Sequence, residues 1–216
     1  TKTYRQDIPY HGRESSVVNH LVASDGRRLK QYERHVTNWE NISFYDGLIQ
    51  VIKPKQSIEY EFELNTENGI ATTSIPFSSL ETKFEWFAAD GQYPLLSKET
   101  RKTRNSSGVL REEKVTSYQY GQENLGVWLV NRATEETNTF KRFGSQESSH
   151  STTLFTEYLD DLPYVRRVKA SNGESNAETF LLTEYSHDDF GNVVQISECS
   201  VHFAQRCGDS SIPSVS

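Results

Sequence analysis

The sequence contains no methionine and only two cysteines, Cys199 and Cys207, in 216 residues. It also has no apolar run near the ~18 residues that a membrane helix requires, and its N-terminus lacks the basic-then-apolar pattern of a signal peptide. A chain that begins with Thr and has no Met reads as a piece of a longer polypeptide, or as one from which Met positions were dropped. Two cysteines eight positions apart can close a hairpin disulfide or remain thiols; neither state supplies four metal ligands, even with His202 between them. Phosphate-cradling glycine motifs, a Gly-x-Ser-x-Gly elbow and paired Cys/His ligands are all missing, so no cofactor, metal or catalytic residue is expected. Hydrophobic residues make up only 34%, less than the core of a compact enzyme requires.

What is present is an excess of aromatics: 11 Tyr, 11 Phe and 3 Trp. A disordered chain would lack them. Together with the low aliphatic content they point to sheet whose faces are largely wet, with aromatics and threonines paired across strands. The net charge of −7 speaks against a nucleic-acid backbone as partner. The basic clusters Arg27-Arg28-Lys30, Lys98 to Arg104 and Arg166-Arg167-Lys169 are interrupted by Glu and Ser and read as solvated strand faces.

Alternation dominates the local pattern, and no long helix is evident. Val17 to Val22, the Asp25-Gly26 turn and Leu29 to Val36 read as a hairpin in which both turn residues take positive φ. Leu95 to Thr103 and Val109 to Tyr120 flank Asn105-Ser106-Ser107-Gly108 as a second, and Tyr164 to Ala170 and Ala177 to Tyr185 form a third. A fourth pair, Ile49 to Ile52 and Ser57 to Leu64, is split by Pro54, which confines its neighbours to an edge or turn. Ser78 to Ala89 suits alternation at least as well as a helix. The Ser/Thr-rich stretch 143–153 reads as an irregular break, and 208–216 as a flexible tail.

One internal echo is informative. Thr156-Glu157-Tyr158-Leu159-Asp160-Asp161 aligns Tyr158 with Tyr185 of Thr183-Glu184-Tyr185-Ser186-His187-Asp188-Asp189, at a period of 27 to 28 residues, with a looser copy at Thr116 to Gly121. Such spacing fits units that stack on their neighbours. Adjacent carboxylates at Asp160-Asp161 and Asp188-Asp189 point to opposite faces of a strand, so they read as turn caps rather than an acid–base pair.

The segment Thr183 to Ile196 resembles the YD repeat of Rhs proteins, teneurins and the B and C components of bacterial toxin complexes: Tyr185, Asp188, Gly191, Asn192 and Ile196 stand in the pattern, with His187 in place of its second Tyr. In this reading Asp188 accepts the turn's backbone donors, Gly191-Asn192 supply the positive-φ positions, and Tyr185 and Ile196 begin and end the paired strands. Arg5-Gln6-Asp7-Ile8-Pro9 and Trp128-Leu129 with Arg132 look like further elements of the toxin-complex B components and related virulence proteins. The resemblance implies an all-β chain over 1–207: successive antiparallel hairpins in a curved, repeat-like sheet, one segment of a secreted or cell-surface shell around a toxic cargo. Implied partners are other segments of the shell and an enclosed toxin domain, with toxin-complex subunits as further candidates. No Asp-Pro-x-Gly occurs, so the family's self-cleaving role is not carried over. The alternative is an extracellular β module binding carbohydrate, such as host-surface glycans, or a receptor through Trp39, Trp86 or Trp128.

Overall fold

The structure, a computed structural model, describes residues 1–6, 12–26, 28–44, 46–63, 75–87, 93–121, 132–144, 146–159, 162, 164–171, 179–202 and 207. The fold is all-β, with no helix among the described residues. Twelve strands run as β1 Lys2–Tyr4, β2 Glu14–Val22, β3 Arg28–Phe44, β4 Ile49–Glu63, β5 Ser78–Phe87, β6 Leu95–Asn105, β7 Leu110–Tyr120, β8 Ala133–Arg142, β9 Ser148–Tyr158, β10 Val165–Ser171, β11 Thr179–His187 and β12 Val193–His202. Their order in the sheet is their order in the chain, each hydrogen-bonded to the next, without a crossover. The chain divides into two compact units, Thr1–Val115 with Lys141–Ser148, and Thr116–Phe140 with Ser149–Ser216.

In the first unit, pairing puts Val36, Ser57, Thr82 and Arg101 in one row across β3 to β6. Val36, Ser57 and Thr82 are buried, so the covered face is built partly from small hydroxyl side chains. Ion pairs accompany these strands elsewhere: Lys98 with Glu85 at 3.1 Å and Lys102 with Glu113 at 3.1 Å between strands, and Arg101 with Glu99 along β6. Each contributes about 0–1 kcal/mol, and together they let strands rich in Lys, Arg and Glu lie side by side.

Pro54 does not divide two strands. It lies inside β4, opposite Trp39 and beside register shifts at Val36/Asn38 and Asn38/Trp39. Pairing of β4 with β5 stops at Gln56, so the proline's missing N–H falls where that ladder has ended. The stretch 143–153 is likewise strand from Ser148 onward; its hydroxyls pair across strands, Thr153 with Thr137 at 3.1 Å and Ser151 with Thr139 at 3.2 Å.

In the second unit, Phe155, Lys169, Leu182 and Cys199 form one row across β9 to β12, and Leu154, Ala170, Leu181 and Ser200 the adjoining row on the opposite face. Leu182 is 0% exposed and Leu181 56%, so one face is covered and the other wet. Arg167 and Lys169, read from sequence as solvated, are buried. Arg167 lies on the covered face between Glu157 and Glu184 in register, with its Nε 2.7 Å from the Glu157 carboxylate. Strand parity, not charge, decides which side a basic residue occupies.

Leu182→Ala is expected to destabilise the protein by about 2–4 kcal/mol, and its neighbour Leu181→Ala by no more than about 0.5 kcal/mol. Urea denaturation followed by circular dichroism measures both; equal effects would refute the assignment of faces.

Candidate functional site

The turn between β11 and β12 is built around one carboxylate. Asp188 Oδ1 accepts the backbone N–H of Phe190 at 2.9 Å and of Asn192 at 2.8 Å, and Oδ2 accepts the Asn192 side-chain amide at 2.9 Å. Gly191 N–H donates to the Asp188 carbonyl at 3.0 Å, and Asp188 N–H to the Asn192 carbonyl at 3.0 Å. The Asn192 amide, then the turn's N–H groups, hold the Asp188 carboxyl below the usual aspartate range. The capping role read for Asp188 is present. Of the two positive-φ positions expected, only Gly191 has one, at +85°. Tyr185 and Ile196 face each other, and the strands run on to His187 and Val193.

Asn105 makes the same turn. Its Oδ1 accepts from Ser107 N–H at 3.1 Å and Val109 N–H at 2.9 Å, its N–H donates to Val109, and Gly108 N–H returns to its carbonyl. Asx-x-x-Gly is therefore a recurring turn in both units, a signal legible as Asn105-x-x-Gly108 and Asp188-x-x-Gly191 but not connected by sequence reading. The Asp25-Gly26 turn is of a related kind: only Gly26 has positive φ, with its N–H on Ala23. Positive φ at both residues of an Asp-Gly pair occurs instead at Asp46-Gly47, 53° and 82°, between β3 and β4, as a primed hairpin turn requires.

Hydrogen bonding aligns the turns that follow β9 and β11 two residues away from the match of Tyr158 with Tyr185 read from the sequence. Leu159 N–H donates to Tyr164 and Leu162 N–H to Leu159, as Asp188 and Gly191 do in the later turn. Tyr158 therefore corresponds to His187, the residue before the turn, and not to Tyr185. Tyr120 precedes Gly121, whose N–H meets the Arg132 carbonyl. Tyr158 donates its hydroxyl to the Ala133 carbonyl at 3.0 Å, and the Arg132 guanidinium lies 5.8 Å from its ring centre. Burial, then neighbouring Tyr118, Glu136 and Tyr158, pushes the Tyr120 phenol up; burial does the same to Tyr158, opposed by Arg132.

Tyr164 stacks on His187 at 5.6 Å and also covers Gly191, where an added Cβ would lie 2.2 Å from the Tyr164 Cζ and 2.4 Å from its hydroxyl. Gly191 thus serves twice, in backbone conformation and in making room for the preceding hairpin. Asp160 lies outside the described residues.

Trp39 and Trp86 meet at Pro54: Trp39 is its cross-strand partner, and Trp86 Nε1 donates to its carbonyl at 2.9 Å. Both rings are half-buried. Lys53 Nζ sits 5.0 Å from the Trp86 centroid and 5.5 Å from that of Tyr93, and Phe84 stacks on Trp86 at 6.3 Å. Trp128 and the segment 208–216 lie outside the described residues.

Cys199 and Cys207 form a disulfide, with Cα atoms 5.7 Å apart. Cys207 Sγ lies 3.9 Å from the Leu182 carbonyl oxygen, so the bridge brings the chain back beside the most buried apolar residue of its unit. Closing so short a loop stabilises by roughly 2–3 kcal/mol through the unfolded chain.

Sequence reading did not find a groove in the first unit. It has a volume of about 660 Å³ and is lined by Lys2, Glu14, Val17, Tyr32, Arg34, Glu59 and Leu80 among others. Its one visible signal is the alternation of Glu59, Glu61 and Glu63 opposite Arg34, Tyr32 and Lys30. Among the described residues, no group of three His, Cys, Asp or Glu side chains is placed to hold a metal ion.

Comparison with protein-family models, curated proteins and solved structures returned no match.

Two outcomes are expected at the β11–β12 turn. Gly191→Ala costs about 2–4 kcal/mol, from left-handed backbone and the clash with Tyr164. Tyr164→Ala in the same molecule recovers the steric part, giving a coupling of about 1 kcal/mol or more in a double-mutant cycle; strict additivity would sink the contact. Because the folded-state pKa of Asp188 is depressed, its contribution is complete above the unfolded value of ~3.9 and is lost as pH falls through the folded pKa. Asp188→Asn is expected to remove that component of the acid dependence of Tm, measured by thermal melts from neutral to strongly acidic pH.

Proposed function

We propose that this chain is a non-enzymatic structural segment of a secreted or cell-surface YD-repeat shell, in which hairpins laid side by side enclose a toxic cargo. The observation that carries this reading is the pairing order: each strand lies against its sequence neighbour from β1 to β12. Such a sheet extends by adding hairpins and gives every strand its hydrogen bonds without a second layer. The scarcity of buried apolar residues supports it, the described ones being Val17, Val36, Ile42, Leu95 and Leu182. A wall wetted on one side and facing cargo on the other does not require a closed apolar interior. The recurring Asx-x-x-Gly turn fits a repeated unit, and the disulfide fits an oxidising compartment.

The partners in this reading are further shell segments at the β1 and β12 edges and the enclosed toxin domain. Strand β12 exposes Val194 and Ile196 and carries Glu198 as its one acidic residue, without Lys or Pro to discourage pairing. The isolated chain is therefore expected to self-associate above about 10 μM, and Val194→Lys with Ile196→Lys to suppress this, measured by light scattering during size-exclusion chromatography. A compact monomer at every concentration, melting cooperatively, would overturn the proposal. In the polypeptide of the complete reading frame, the cargo domain is expected to resist protease until the shell is denatured.

A further inference from the structure

We infer that the Cys199–Cys207 disulfide is a redox latch on the last hairpin, closed in oxidising surroundings and opened by small thiols. The hairpin of β11 and β12 is held differently at its two ends. At the turn, Asp188 accepts the backbone N–H groups of Phe190 and Asn192. At the far end Thr179 faces His202 with no turn to join them, and β12 has β11 as its one neighbour in the sheet. An edge strand open at one end is where a ladder frays first. The bridge is set in that open half, since Cys199 lies opposite Leu182 in register.

Leu182 shows what the bridge covers. It is 0% exposed, although it stands only one strand from the edge of the sheet. Neighbours within a sheet shield the flanks of a strand side chain, whereas its tip needs something above the face. Cys199 shares that face with Leu182, so Cys207, bonded to it, lies there too, with its Sγ 3.9 Å from the Leu182 carbonyl oxygen. Phe155 is in the same row, Phe180 is two residues from Leu182 along β11, and the two rings meet edge to face at 6.1 Å. Breaking the S–S bond removes the covalent restraint that keeps Cys207 over this apolar end of the hairpin.

The surroundings suit an exchangeable bridge. Both half-cystines are half-buried, so neither sulfur is sealed from a small thiolate, and accessible bridges are the labile ones. A thiolate of the glutathione class attacks one sulfur, which breaks the S–S bond, forms a mixed disulfide and releases the other cysteine as a thiolate. A second reductant thiol displaces the first. Two reductant thiols thereby become one disulfide, and their two electrons and two protons pass to Cys199 and Cys207. The latch does not depend on an enclosed cargo: a free-standing module with this hairpin would carry it alike.

The test is hydrogen exchange read by mass spectrometry on the complete 216-residue chain, in glutathione buffers set to the oxidising poise of a secretory compartment and to the reducing poise of a cytosol. Thiol alkylation scores the bridge, expected closed in the first buffer and open in the second. Opening is expected to speed exchange about tenfold or more at Thr179–Leu182 and Cys199–His202, and by less than about twofold in the Asp188 turn and in β2 to β4. The double variant Cys199→Ala with Cys207→Ala is expected to exchange like the reduced chain in either buffer, which separates loss of the bond from any other action of the reductant. A bridge that survives the reducing buffer in the folded chain would overturn the latch. So would an open half as protected after reduction as before, or a loss of protection shared by both units.

Discussion

Everything in this structure depends on the backbone ladder between sequence neighbours. With few apolar residues buried among those described, the strands are held chiefly by main-chain hydrogen bonds, and side chains act by making adjacent strands compatible. That is why unlike charges oppose one another on β5 and β6, why threonines and serines face each other on β8 and β9, and why buried positions such as Ser57 and Thr82 are filled by residues suited to a pleated strand rather than to a conventional core.

Fold class was legible because alternation is a local property. Ser78 to Phe87 reads as strand from its own residues, and so do the arms flanking Asn105 to Gly108. What depended on neighbours was not legible. Pro54 was placed at a boundary because a proline cannot donate to a ladder, yet β5 has already ended its pairing there. The Asp25-Gly26 and Asp46-Gly47 dipeptides are identical, and the dipeptide alone does not decide which adopts two positive φ angles. Tyr158 and Tyr185 matched by sequence, whereas hydrogen bonding at Leu159 and Asp188 aligns Tyr158 with His187. Arg167 and Lys169 looked solvated because charge was visible and the covered face was not.

The candidate sites divide in the same way. The Asp188 cap could be read from one short motif, since its partners lie within four residues. Trp39 and Trp86 stand out in the sequence as aromatics, but that both adjoin Pro54 is visible only in the long β3–β4 register. The groove around Tyr32 and Arg34 joins residues from five strands, and no window of sequence contains it.

The Asx-x-x-Gly turn has a further implication for how such a chain can change over time. Each turn sets the alignment of its own two arms through bonds confined to five consecutive residues, so a whole arm-turn-arm unit can be copied or lost while the flanking ladders keep their inward and outward sides. An insertion of a single residue within an arm reverses every side chain beyond it unless a bulge absorbs it, as the register shifts of β3 against β4 do.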